Sequence, residues 1–599
     1  MKEDTVMTLK NVFLPGTSSS LTSNGLRRIT SAAGKCPARV AQRMVHCACI
    51  MVVCTVLLSC GGGGSSSDPP GSVQAGTGQP ATGQFTLLAW NDLGMHCIDH
   101  DYSVFALLPP YNNLHAQLID RTAGRIVSSG VVLTYEAVAD TAGSVNSSSW
   151  RKTNFWDWVS SLFGVQPAKD VGLAGNPVQG SVPAAMRFDA ANGYWKADGI
   201  PAVPSDDRGD INYYPMVKVV AKDASGAILA ATQAVLPVSD EMTCVQCHAS
   251  DTGDPAAQPA AGWVRDADPG RDWKRNILLR HDDRNLASDT YMMALAANGY
   301  RATGLLATAD AGKPILCAQC HASNALGTPG FPGIKQLTTA MHSWHGTHAM
   351  DDATGLPLDT TTNRTACYFC HPGSTTQCLR GAMGTAKVPT GELLIQCQSC
   401  HGTMSAVGAD SRIGWQDLPS CDGCHYPSNA AGSYVRDVSA FDSSGAWRRP
   451  AGLFGTGSRL YKLAATHGVQ CEACHGSTHA ENPSSEANDN VQSIALQGYA
   501  GKITECAVCH ADVPITKDGG PHGMHTVGQS WVSRHGDFAR GAAAPCGVCH
   551  GSNYDGMFLA KTGTARTFTT DGGGTKTYLA GYMVGCYDCH NGPGGAADT

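Results

Sequence analysis

Residues 367–425 read CYFCHPGSTTQCLRGAMGTAKVPTGELLIQCQSCHGTMSAVGADSRIGWQDLPSCDGCH, and the pattern Cys-x-x-Cys-His occurs in them three times, at Cys367/Cys370/His371, Cys397/Cys400/His401 and Cys421/Cys424/His425. Upstream it recurs at Cys244/Cys247/His248 and Cys317/Cys320/His321. Downstream it recurs at Cys471/Cys474/His475, Cys506/Cys509/His510, Cys546/Cys549/His550 and Cys586/Cys589/His590. Eighteen of the 25 cysteines therefore stand in nine copies of one motif. The copies are irregularly spaced, which excludes a repeat of the solenoid kind.

The chemistry of c-type haem attachment needs these residues at this spacing. Two thiols one helical turn apart can each add to one vinyl group of a porphyrin, and the adjacent histidine then sits under the iron as its proximal ligand. Zinc is the rival reading of paired cysteines, but zinc ribbons do not require a histidine after every pair. Nine motifs predict nine covalent haems c. The roughly 39 residues per motif from Cys244 to His590 leave little polypeptide between neighbouring rings, so adjacent haems should lie close together.

The sequence also holds a set of candidate sixth ligands. Of 22 histidines, nine belong to motifs, and His46 lies in the N-terminal segment. His96, His100 and His115 precede the first motif. The remaining nine, His281, His342, His345, His348, His467, His479, His522, His525 and His535, all fall among the motifs. Nine motifs and nine spare histidines predict bis-histidine ligation, which favours electron transfer over substrate binding. MHSWHGTH (341–348) and PHGMH (521–525) could each serve two or three irons. Met341, Met383, Met404 and Met524 lie near motifs and are alternative ligands or packing groups.

At the other end of the chain, residues 49–59 (CIMVVCTVLLS) form an apolar run after Arg39 and Arg43, with the length of a signal-peptide core and too short to span a bilayer. Leu57-Leu58-Ser59-Cys60 resembles a lipoprotein cleavage site, which makes Cys60 the candidate lipidated residue. We assign 1–60 to this extension and signal, and 61–84, rich in Gly, Ser and Pro, to a flexible linker. The whole chain carries 42 Lys and Arg against 49 Asp and Glu, a net charge of −7, which argues against a nucleic-acid partner.

Residues 85–240 hold no motif and read as a β-rich domain, an immunoglobulin-like sandwich. Their main signal is YYPMVKVVAKDASGAILAATQAVLPVS (213–239), with Asp223-Ala224-Ser225-Gly226 as a hairpin turn. The stretch between Ala139 and Asp210 reads as loops with aromatic anchors in NFWDW (154–158). WNDLGMHCIDHDYSVFALLPPYNNLH (90–115) concentrates His96, Cys97, His100 and His115, open to a copper or extra haem-ligand role or to plain packing. After Cys60, Cys97 and Cys378 are the two cysteines outside the motifs and could form a disulfide joining the domains. Residues 241–599 are expected to be a mostly irregular, short-helix cytochrome c domain organised around stacked haems, because only 42% of the chain is hydrophobic and 7% aromatic while 69 residues are glycine.

The nine motifs, the lipobox-like segment and the β-rich N-terminal domain together resemble the outer-surface multihaem c-type cytochromes of metal-reducing bacteria. That resemblance implies an exported protein, lipid-anchored at the outer membrane or cell surface. It would pass respiratory electrons to other redox proteins such as cytochromes or to extracellular metal oxides, with a homopolymer as one form of assembly. The rival is a multihaem oxidoreductase resembling nitrite, tetrathionate or hydroxylamine enzymes, which needs one open iron. Some of those families mark that iron with a lysine in place of the motif histidine, and no such variant occurs here.

Overall fold

A computed structural model describes residues 83–411 and 468–590, apart from residues 242–243, 324, 352–353, 360–363, 389, 516–519, 541–542, 544–545 and 571–572. Cys60, the linker up to residue 82, the motif Cys421/Cys424/His425 and His467 lie outside the described residues.

The N-terminal strands are β1 (Phe85–Asn91), β2 (His96–Cys97), β3 (Phe105–Ala106), β4 (Asn112–Asp120), β5 (Arg125–Ile126), β6 (Val131–Ala137), β7 (Ala184–Ala185), β8 (Arg187–Asp189), β9 (Tyr194–Ile200), β10 (Met216–Asp223), β11 (Ile228–Val235) and β12 (Val238–Ser239). They form two main sheets, one in the order β1-β4-β9-β8 with β5 on β4, the other in the order β11-β10-β6-β7. Side chains from both sheets meet in one core, including Leu87, Leu114, Leu118, Leu133, Tyr135, Trp195, Val217 and Val219. The hairpin expected at 223–226 joins β10 to β11. Gly226 adopts φ +88°, and the Asp223 carboxylate accepts from the amides of Ser225 and Ala227 at 2.9 Å each.

Because strand side chains alternate, a strand buried on both faces joins two layers. In β1, Leu87 and Ala89 enter the core between the sheets, whereas Leu88 and Trp90 turn outward. There they pack with Ile119 against Ala473, which lies inside a haem motif. Hydrogen bonds cross the same boundary: Thr86 Oγ1 donates to Val508 O, and the Ala89 amide donates to Gln492 Oε1. The outer face of the first sheet is thus a wall for the motif-bearing region.

The stretch read as loops contains a helix, α1 (Phe155–Phe163). Its buried Phe155, Trp156, Val159 and Leu162 fall on one helical face, and Gly164 ends it at φ +69°. Taken as aromatic anchors, these residues do not reveal a helical period of only nine residues. Tyr102, Ala106 and Leu316 complete its apolar contacts.

The motif-bearing region is mostly short helices. It opens with α2 (Val245–His248), α3 (Pro269–Asn285), α4 (Asp289–Ala297) and α5 (Leu305–Asp310), followed by β13 (Ile315–Leu316) and α6 (Leu337–His348). Asp268 caps α3 by accepting from the Gly270 amide, and Pro269 occupies the first turn, where no amide donor is needed. One short parallel pairing ties this region to the N-terminal strands: β13 with β3, leading straight into Cys317. Beside them Lys274 of α3 is buried on Asp99, Nζ to Oδ1 3.2 Å, and also donates to the Phe105 carbonyl at 3.1 Å.

Candidate functional site

Each described motif is one turn of helix. The histidine amide donates to the carbonyl of the first cysteine, at 2.9 Å in Cys244–His248, 3.0 Å in Cys317–His321 and Cys367–His371, and 2.9 Å in Cys506–His510 and Cys586–His590. Such a bond places both thiols and the imidazole around one turn, as double attachment of a porphyrin requires. Seven of the eight described motifs line one continuous cavity of about 3710 Å³; the residues of Cys506/Cys509/His510 are not among its lining. Shared over seven motifs, that is roughly 530 Å³ each, inside the roughly 300–1,000 Å³ usual for a cofactor-sized site. The lining is largely apolar, which suits a porphyrin face.

The same seven motif histidines each face a second histidine. Ring centres lie 6.4 Å apart for His248–His345, 6.3 Å for His281–His321, and 6.1 Å for both His342–His371 and His401–His479. They lie 6.0 Å apart for His475–His522 and His525–His550, and 5.5 Å for His535–His590, whose Nε2 atoms are 3.3 Å apart. Two metal–nitrogen bonds of about 2 Å on opposite sides of one ion put ring centres roughly 6 Å apart, so these gaps fit one metal each. Among the described residues no three His, Cys, Asp or Glu side chains converge as a tetrahedral zinc site would need. The residues therefore fit haem c, with the cysteine pairs for attachment and opposed imidazoles for the iron.

Local structure explains how the second histidines arrive. His342 and His345 lie three residues apart on α6, so neighbouring positions of one helix face two different motifs. His522, His525 and His535 face three motif histidines from the short segment beginning at the turn Pro521–Gly523. His479 and His522 hold left-handed backbone angles of φ +68° and +57°, strain of about 1–3 kcal/mol each that clusters at functional positions. His479 is held from the sheet side, where its Nδ1 donates to the Leu93 carbonyl at 2.8 Å. The next residue must be glycine, because a Cβ on Gly94 would lie 2.0 Å from the Thr478 carbonyl oxygen.

Backbone carbonyls orient most of the rings. Nδ1 donates to Thr338 O from His342, to Met341 O from His345, to Thr526 O from His525 and to Val532 O from His535, all at 2.7–2.8 Å. On the motif side, His321 donates to Lys335 O at 2.8 Å and His550 to Val584 O at 2.7 Å. A proton fixed on Nδ1 leaves the Nε2 lone pair free for a metal. Burial pushes His248, His281 and His371 down to about 4, with His345, His321 and His342 respectively adding to the effect, so these rings are neutral donors at neutral pH. Burial also pushes the Cys244 and Cys317 thiols up to about 12.

Other expected groups lie elsewhere. His348 stacks on Trp344, ring centres 3.8 Å apart, and faces no described motif imidazole. His96 is paired with Asp92 at 2.7 Å, His100 with Asp240 at 2.8 Å, and His115 stacks on Tyr194 at 4.4 Å. Among the described residues these three and Cys97 form no group of three or more that could hold a metal ion. Cys97 and Cys378 both carry free thiols in this structure; burial, then the nearby Cys378, pushes the Cys97 thiol up to about 12, and Cys378 Sγ sits 3.7 Å from Nδ1 of His479. Met404 packs with Leu358 and Ala366. In all seven pairs the group opposite the motif histidine is histidine, never Met341, Met383, Met404 or Met524. Sequence reasoning missed the side-chain anchor of His281, the Tyr291 hydroxyl, whose position shows only in the folded chain.

Residues 313–402 match the family described as Cytochrome c554 and c-prime. That stretch includes three of the motifs and supports a haem-containing c-type cytochrome that transfers electrons, with haem c and its iron as cofactor. Searches of curated proteins and of solved structures returned no significant match.

Proposed function

We propose that this chain is an exported multihaem electron carrier with nine covalent haems c, each iron held between two histidines. The observation that carries the reading is the set of seven opposed imidazole pairs, each containing one motif histidine. Haem c bound there would supply a one-electron redox couple at each iron. The protein supplies attachment, ring orientation through the carbonyls, and a largely apolar surround. It also crowds the sites: α6 carries second histidines for two motifs, and the thiols of Cys367 and Cys397, from consecutive motifs, are within hydrogen-bonding reach of each other. Counting leaves His348 and His467 for the two motif histidines His425 and His510. Two occupied axial sides favour a carrier over the nitrite, tetrathionate or hydroxylamine type of enzyme, which needs one side open.

The two antiparallel sheets over one core support reading the N-terminal region as an immunoglobulin-like sandwich that braces the haem region. The lipobox-like segment supports anchoring through Cys60 at the outer membrane or cell surface, with partner cytochromes or extracellular metal oxides as acceptors. One intact-mass measurement on membrane-extracted protein tests both parts. The expected mass is the polypeptide from Cys60 onward plus nine haems and one lipid modification. Haem-free or zinc-loaded protein overturns the cofactor reading, and an unlipidated chain overturns the anchor.

A further inference from the structure

Among the rings with a resolved Nδ1 partner in the seven pairs, His281 alone is anchored mainly by a side chain. Its Nδ1 lies 3.3 Å from the Tyr291 hydroxyl, while its neighbours' rings rest on backbone carbonyls at 2.7–2.8 Å. The direction of the Tyr291 hydrogen bond is fixed by what lies beyond it. The Tyr291 hydroxyl is 2.6 Å from Asp282 Oδ1, and a carboxylate can only accept. The phenol proton is therefore committed to Asp282, and with Nε2 turned to the iron the phenol oxygen accepts the Nδ1 proton of His281; the Asn285 amide nitrogen, 3.5 Å from the same Nδ1, donates to the His281 carbonyl at 2.7 Å.

Asp282 is itself held rigidly. It is 3% exposed, and its two oxygens accept from the amides of Leu305 and Leu306, at 2.8 and 3.0 Å, where α5 begins. Gly304 makes room for it, since a Cβ there would fall 2.4 Å from Asp282 Oδ2. Tyr291 is 6% exposed and lies on α4, two helices meeting at this one carboxylate. Burial, then the bond to Asp282, raises the phenol well above its ordinary value and keeps it protonated.

We propose that Tyr291, polarised by Asp282, is a positioning residue that fixes the His281 ring and strengthens its donation to the iron it shares with His321, holding that one site at a lower potential. An acceptor backed by a carboxylate draws the Nδ1 proton away from the ring, which raises the electron density at Nε2 and favours the ferric state. On the opposite side His321 rests on the Lys335 carbonyl, so the carboxylate-backed contact is made from the His281 side.

The inference rests on His281 being an iron ligand, and the experiment separates the two. Tyr291→Phe in the haem-loaded full chain keeps the ring and removes only the hydroxyl. A spectroelectrochemical titration is expected to show one of the nine potentials moved upward, with all haems attached and low-spin, and the low-spin resonance of one haem shifted. Asp282→Asn should move the same potential in the same direction by a smaller amount. A Tyr291→Phe titration superimposable on that of the unmodified protein overturns the role of Tyr291. His281→Ala tests the ligand itself: one haem turned high-spin supports ligation, and nine low-spin haems would remove the basis of the inference.

Discussion

Arg380→Ala is expected to lower the stability of the fold by about 3–5 kcal/mol, read as a fall in denaturant midpoint, because it strands a buried carboxylate. Arg380 is 1% exposed, and its guanidinium makes a two-point contact with Asp489 at 2.7 and 2.9 Å. It also donates to the Gly94 carbonyl and lies over the Tyr214 ring at 4.9 Å. Asp489 is only 7% exposed, so without its partner the charge would stay in a poorly solvated place. The effect is large because one side chain joins three parts of the molecule: the loop after β1, the approach to β10 and the segment carrying His479. Its own amide donates to the His479 carbonyl at 2.8 Å. Arg380→Lys should recover only part of the loss, since an ammonium cannot make the two parallel bonds. An Arg380→Ala midpoint within error of the unmodified protein would show that the buried pair contributes little to joining the layers.

The second large effect is spectroscopic. His342→Ala and His345→Ala should each convert one low-spin haem to high-spin while all nine remain attached, since the thioether cysteines are untouched. The two variants should affect different haems: His345 faces His248, and His342 faces His371. In the double variant the changes should add to two high-spin haems. If either single variant leaves every haem low-spin, that pairing is wrong and another side chain fills the position.

The motifs were legible from the sequence because double attachment demands residues five positions long in a fixed order, a local constraint. Counting also singled out the spare histidines, and seven of those nine face a described motif histidine. Their pairing was not legible. His345 reaches a motif 97 positions upstream and His342 one 29 positions downstream, from a helix whose sequence carries no mark of either destination. The hairpin at 223–226 was readable because Asp and Gly shape a turn by themselves. Helix α1 was not, because nine residues give only about two and a half helical periods and its partners, Tyr102 and Leu316, come from distant parts of the chain. The 90–115 cluster looked metal-like by composition, yet Asp92 and Asp240 each take one of its histidines and divide the set.

The central claim is that opposed imidazoles fill both sides of every iron, and low-temperature electron paramagnetic resonance of the oxidised, haem-loaded protein tests it most directly. The account predicts signals from low-spin ferric haem alone, integrating to about nine per chain. A substantial high-spin signal in the unmodified protein, together with rapid reduction of nitrite, hydroxylamine or tetrathionate, would contradict it and place an open catalytic iron in the chain.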